Sequence, residues 1–244
     1  DVVISLAGLA NVGASFEQAE LYSKVNVAVL SVLGEEILSQ GLSTRVIAIS
    51  TGAVYDANQP MPLTETSRVI TSGSPYALSK IAMEKAAKDM RNRGLKCIIV
   101  RPFNHIGPGQ DGGFLVPDLY EKIQAARRSD GILKVGNLKT KRDYTDVRDV
   151  VRAYADLATA PEPSEPIYNV CSGRSVSGET ILNLMLKAIG AGSDITTQTD
   201  KSLIRKDDPA DLFGSNVLLR KTTGWQPTIP LEKTIQDFVA SKTV

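Results

Sequence analysis

The stretch Tyr76-Ala77-Leu78-Ser79-Lys80 sets a phenol and an ammonium four residues apart, one turn along the same helix face. Of the seven tyrosines, no other has a lysine four residues on. A free phenol has a pKa of about 10, and it works as an acid or base near neutrality only when a neighbour stabilises the phenolate. An adjacent ammonium does so. Thr51, in Ile49-Ser50-Thr51-Gly52-Ala53-Val54-Tyr55, adds a hydroxyl at the end of an apolar run, suited to hydrogen-bond the oxygen the phenol reaches. Together the three types describe general acid–base chemistry at a substrate oxygen. Singly, Thr51 also reads as a satisfied strand-end hydroxyl.

These side chains need elements that hold them. DVVISLAG (1–8) reads as a buried parallel strand running into a ligand-facing loop. Residues 15–41 read as one long helix: Ser15 and Gln18 form a capping box, and Leu21, Val25, Val29, Val32 and Leu33 supply the apolar stripe. Gly41 ends it. RVIAIS (45–50) is the next strand. Ser74 as N-cap and Pro75 at the first helical position launch a helix that stops at Gly94. KCIIVRP (96–102) is a third strand. Strands separated by helices imply a parallel sheet with right-handed crossovers and ligands at the strands' C-terminal ends. Further on, helices near 117–128, 143–159, 178–189 and 231–241 and strands near 132–135 and 166–171 are expected, separated by Gly- and Asp-rich loops.

The totals bound the function. The 244 residues suffice for a domain plus a lobe, and 42% hydrophobic residues, 23% charged residues and a net charge of +1 point to neither a nucleic-acid nor a membrane partner. Cys97 and Cys171 lie in apolar segments and read as buried thiols. Without a disulfide framework, a reducing cytoplasm is the expected location.

Thr51, Tyr76 and Lys80 resemble the catalytic triad of the extended short-chain dehydrogenase/reductase superfamily of nucleotide-sugar epimerases, dehydratases and reductases. The likeness runs through RPFNHIGPGQ (101–110), VGNLKTKRDYTDVRDVVRAY (135–154), YNVCSG (168–173) and GSNVLLRKTTGWQPTIPLEK (214–233), in order along nearly the whole chain. Within the superfamily these blocks are most similar to the reductases of GDP-linked 4-keto-6-deoxymannose. The resemblance implies an α/β fold: a Rossmann-like doubly wound parallel sheet with a smaller α/β substrate-binding lobe. The dinucleotide-binding part would comprise 1–105 and 140–172, and the lobe mostly 106–139 and 173–244. NADP or NAD would be the cofactor, touched by Ala7, Gly8, Asn26, Tyr76, Lys80 and Pro102. A nucleotide sugar, GDP-linked by preference, would be held by Asn104, by Arg142 and Arg205 at the pyrophosphate, and by Asp208 at the ribose. Relatives often read Arg-Pro before that acid, whereas this chain reads Arg205-Lys206-Asp207-Asp208. A solvated loop remains the alternative there, and Arg142 has the alternative of bracing Asp146 or Asp149. The single histidine, His105, is expected to pack its loop. A homodimer through the Tyr76 helix and the long helix before it is also implied. No metal site is expected.

Missing groups narrow the reaction by the same resemblance. A 4,6-dehydratase carries acidic residues directly after the triad threonine, where this chain has Gly52 and Ala53. The epimerase-reductases place a cysteine at the position of Ala53 and a histidine near Gly109, and neither is present. Simple redox at C4 is left, with a 4-epimerase as the alternative. No G-x-x-G-x-x-G or G-x-G-x-x-G follows a strand in the sequence. The expectation is therefore that two strand–helix units, on the order of 60 residues, precede residue 1 in the natural protein. If they do not, a non-catalytic sugar-nucleotide-binding protein is the reading from another class.

Overall fold

The computed structural model describes residues 1–161, 163, 165–192, 194–204 and 208–242. The chain runs through β1 (Val2–Ser5), α1 (Val12–Ser15), α2 (Ala19–Ser39), β2 (Arg45–Ile49), α3 (Pro75–Asn92), β3 (Lys96–Pro102), β4 (Asn104–Ile106) and α4 (Leu115–Arg127). It continues through β5 (Ile132–Val135), β6 (Lys141–Asp146), α5 (Val147–Thr159), β7 (Ile167–Val170), β8 (Ser175–Ser177) and α6 (Gly178–Ile189). β9 (Thr196–Thr199), β10 (Asp211–Leu212), α7 (Val217–Thr223) and α8 (Leu231–Ser241) follow.

Four strands form a parallel sheet in the order β1-β2-β3-β7. The period-2 alternation of strand side chains sorts their apolar residues onto two faces. Val46, Ala48, Cys97 and Ile99 meet Leu30 and Ile37 of α2 and Met83, Ala87 and Met90 of α3. Ile47, Ile98, Val100 and Tyr168 meet Val150, Ala153 and Leu157 of α5, Leu219 of α7 and Trp225. Helices thus cover both faces of a parallel sheet, the doubly wound arrangement. β1 stands at one end of this strand order, with Val2, Ile4 and Leu6 exposed.

A second assembly pairs β10-β6-β4 in parallel with β8 antiparallel on β6, and β5 pairs with β9. Its core joins α4, α6 and α8 through Ile123, Ile181, Met185, Ile235 and Phe238. β6 passes directly into α5, with the Asp146 carboxylate accepting the Arg148 amide at 2.8 Å as the helix cap. From α5, the buried Asp149 carboxylate accepts the amides of Thr228 and Ile229, each at 2.9 Å, while Trp225 Nε1 donates to the Asp149 carbonyl at 2.9 Å. The chain leading into α8 is thereby fastened to the sheet side.

Two expectations about the first half need correction. The long helix is two: Asn11, not Ser15, caps α1, and the buried Ser15 hydroxyl donates to the Val12 carbonyl at 2.6 Å, so it caps nothing. Gln18 precedes α2 without a side-chain cap. The face α2 buries is Tyr22, Asn26, Leu30, Gly34 and Ile37, whereas Leu21 and Val32 of the expected stripe are 46% and 71% exposed. Farther on, the expected helix near 143–159 begins as a strand. In β6 Asp143 and Thr145 are buried on one side, an alternation that a helical reading hides. Both cysteines are buried and free.

Candidate active site

Pro75 fits the first turn of α3, where no amide donor is needed, and the Ser74 hydroxyl accepts the Ala77 amide at 3.2 Å. Tyr76 is therefore fixed within that first turn, at the C-terminal end of the sheet. Thr51 follows β2 in extended conformation, and its Oγ1 accepts the Ala53 amide at 3.2 Å. The Thr51 side chain lies near enough to the Tyr76 phenol to favour its ionised form. One turn along α3, the Lys80 ammonium donates to the Ile49 carbonyl at 2.8 Å, two residues before Thr51. The structure brings the three side chains together at one strand end, and all three are buried.

Burial dominates the electrostatics. It pushes the Tyr76 phenol above its ordinary value, partly offset by the Thr51 side chain. It lowers the Lys80 ammonium to about 8. In the free protein burial outweighs any help from the lysine, whose ammonium is turned to the Ile49 carbonyl. Tyr76 rests protonated, in the form of an acid.

Asn26 of α2 ties three segments together: its amide donates to the Leu9 carbonyl at 3.1 Å and to the Ser79 hydroxyl at 2.8 Å, and its oxygen accepts the Leu9 amide at 2.8 Å. Ser79 in turn donates to the Tyr76 carbonyl at 2.7 Å. Ala7 lines a recess with Ser5, Asn26, Ile49 and Lys80. Gly8, at φ +155°, runs so close that a Cβ there would stand 2.9 Å from Asn26 Oδ1 and 3.5 Å from Lys80 Nζ. A backbone kept free of side chains beside an ammonium with unused donors fits the nicotinamide-ribose end of a dinucleotide. Pro102 is buried at the end of β3.

On the lobe side, Asn104 is exposed on β4, opposite Tyr144 of β6 in the strand register. Arg142 forms an ion pair with Asp208 and donates to the carbonyls of Pro209 at 2.7 Å and Lys141 at 2.6 Å. It does not brace Asp146 or Asp149, which are paired with Arg148 and Arg152. Arg205 lies outside the described residues. His105 Nδ1 rests 3.2 Å from the Phe103 carbonyl, so the ring is engaged by its own loop. Among the described residues no cluster of His, Cys, Asp and Glu has the makings of a metal site, and no helix is long and apolar enough to cross a membrane.

A buried group behind the triad escaped the sequence reading. The guanidinium of Arg101 on β3 grips the carboxylate of Glu84 on α3, with Nε to Oε1 at 2.8 Å and Nη2 to Oε2 at 2.6 Å. Ser50 Oγ donates to the same Oε1 at 2.5 Å. The signal available in the sequence was a charged residue inside the apolar run CIIVRP and an acid four residues after Lys80.

With this geometry in place, the comparisons with known proteins are direct. The profile of the NAD dependent epimerase/dehydratase family matches residues 1–171. The chain belongs to that family. A GDP-6-deoxy-D-mannose reductase of Pseudomonas aeruginosa is 31% identical over 247 residues, covering 98% of this chain and 79% of the relative. A UDP-glucose 4-epimerase of Erwinia amylovora is 29% identical, covering 96% and 74%. Among solved structures, RMD from Pseudomonas aeruginosa complexed with NADPH superposes with a TM-score of 0.89 at 29% identity, covering 100% of this chain and 82% of that one. UDP-glucose 4-epimerase from Thermotoga maritima with UDP-glucose gives 0.86 at 25% identity, covering 99% and 77%. The family places this α/β fold among NAD(P)-dependent enzymes, and the solved relatives carry the same architecture across the whole chain.

Proposed function

We propose that the protein reduces the C4 ketone of a nucleotide-activated 4-keto-6-deoxy sugar with NADPH or NADH, converting GDP-4-keto-6-deoxy-D-mannose to GDP-D-rhamnose. The observation that carries this reading is the buried convergence of Thr51, Tyr76 and Lys80 at one strand end, with Thr51 followed by Gly52 and Ala53, which cannot move a proton. The identity to the Pseudomonas aeruginosa reductase supports the choice of sugar. A reduced nicotinamide, when bound, supplies the hydride. Tyr76 gives its phenolic proton to the ketone oxygen as that oxygen gains charge. Thr51 donates a hydrogen bond to the same oxygen, and the Lys80 ammonium stabilises the phenolate that remains. Ala7, Gly8, Asn26 and Pro102 shape the nicotinamide end of the cofactor site. Residues 1–105 and 140–172 form the dinucleotide-binding part, and 106–139 and 173–244 form most of the lobe. Their separate apolar cores support this division, except that Leu219 and Trp225 join the sheet side while β4 and β6 pair within the lobe.

In the lobe, Asn104 contacts the sugar nucleotide, Asp208 the ribose and Arg142 the pyrophosphate, whose oxygens suit a guanidinium fork. Arg205 takes a second pyrophosphate contact. Arg142→Met is expected to raise KM for the nucleotide sugar by about 10- to 100-fold, the loss of one charge-assisted contact of about 1.5–3 kcal/mol. Its kcat should change little, as initial rates over a substrate series will show.

Lys80 gives the reading a pH signature. Its folded pKa is lowered to about 8, so the ammonium is lost as pH rises through that value, while Tyr76 stays protonated because burial raises its own. The kcat/KM–pH profile, which reports groups of the free enzyme, is expected to fall on the alkaline side of about 8. In Lys80→Met the residual activity should lack that limb.

The reaction is tested by supplying the purified protein with GDP-4-keto-6-deoxy-D-mannose and reduced cofactor. Stoichiometric loss of absorbance at 340 nm with formation of GDP-D-rhamnose supports the reductase. Interconversion of C4 epimers without net cofactor consumption would favour the 4-epimerase, a reading kept in view by the 29% identical UDP-glucose 4-epimerase.

A further inference from the structure

We propose that Ser50, Glu84 and Arg101 are positioning residues for the reaction, a buried strut that sets the separation of Thr51 from Tyr76. The proposal rests on the reductase reading for its kinetic consequence and on geometry alone for its structural one. Tyr76 and Thr51 come from different elements, the first turn of α3 and the end of β2. The approach of the two side chains therefore depends on where that helix sits along and around its own axis. Tyr76, Lys80 and Glu84 recur every four residues on one face of α3, spanning about 12 Å at 1.5 Å per residue.

Two links tie that face to β2. The Lys80 ammonium reaches the Ile49 carbonyl, and Glu84 Oε1 takes the Ser50 hydroxyl, the residue next to Thr51. The second link is the stiffer. Oε1 also receives Arg101 Nε, and the bidentate fork fixes the plane of the carboxylate. Arg101 is itself held from behind: its guanidinium lies 4.8 Å from the Tyr55 ring centroid, and Nη1 reaches the Glu65 carbonyl at 3.4 Å. The Tyr55 hydroxyl donates to Asn169 Oδ1 of β7 at 2.7 Å. The frame thus spans β2, β3, β7 and α3.

Burial makes this arrangement informative. Ser50, Glu84 and Arg101 are exposed by 2%, 9% and 4%. Well-packed apolar side chains would hold a core as firmly as a buried ion pair, whose desolvation offsets most of its attraction. What apolar packing lacks is directional register, and the catalytic geometry tolerates errors well below 1 Å.

Ser50→Ala is the probe, because Glu84 keeps Arg101 and no charge is left unpaired. The expected result is a kcat about tenfold lower, with KM for the nucleotide sugar within twofold. In the protein without substrate, the [13C]tyrosine NMR resonance of Tyr76, assigned by its absence in Tyr76→Phe, should move, reporting an altered approach of Thr51 to Tyr76. Ser50→Cys, nearly isosteric with a weaker donor, should fall between the two and takes over should the alanine variant fail to fold. An unmoved Tyr76 resonance in a folded variant would overturn the proposal, as would an unchanged kcat. The resonance needs no turnover, so absence of reductase activity in the parent would defeat the proposed reaction while still deciding this point.

Discussion

Tyr76→Phe is expected to lower kcat for the GDP-linked ketone by about 10²–10⁴-fold, the usual contribution of a positioned general acid. The change removes one oxygen and keeps the ring that packs edge-on to Tyr22, with centroids 6.5 Å apart. KM and thermal stability should therefore stay close to those of the parent. Loss of the hydroxyl leaves the Thr51 side chain its contact with the Ala53 amide. Steady-state kinetics beside a melting curve make the check: near-normal kcat in a folded variant removes Tyr76 as the proton donor.

The largest expected effect on stability is at Arg101. Arg101→Met leaves the Glu84 carboxylate buried with only Ser50 as a partner, a situation that costs about 3–5 kcal/mol. For a chain of this length that corresponds to a melting temperature lower by roughly 10 °C. Glu84→Gln in the same background removes the stranded charge and should recover most of the loss. Thermal melts of the single and double variants measure both effects. An Arg101→Met protein as stable as the parent would show that the pair adds nothing to the fold.

The alternation of β-branched runs with capped helices made the parallel sheet legible, and Pro75 and Gly94 bracketed α3 because they act through local backbone preference. α2 shows where that logic fails. Its buried face uses Tyr22, Asn26 and Gly34, residues that an apolar count does not score, while Leu21 and Val32 of the expected stripe are exposed. The strands β8 and β9 were invisible for the opposite reason: Ser175–Ser177 offers a single apolar residue, Val176, Thr196–Thr199 offers none, and their pairing is set by distant partners. In the site, Tyr76, Lys80 and Thr51 could be read because four-residue spacing and a strand end place them. The partner of Arg142 could not, since Asp208 arrives from 66 residues away and local acids offered themselves first.

The direct passage of β6 into α5 has a mechanical consequence. Arg142 and Tyr144 sit on a strand whose last residue is already the cap of a helix packed beneath the sheet, and a second fastening at Asp149 secures the approach to α8. No loop residue separates the strand from the helix at that junction. Accommodation of a ligand falls to peripheral connections such as 107–114, whose glycines at 107, 109 and 113 hold positive φ and whose residues are tethered by few side-chain contacts.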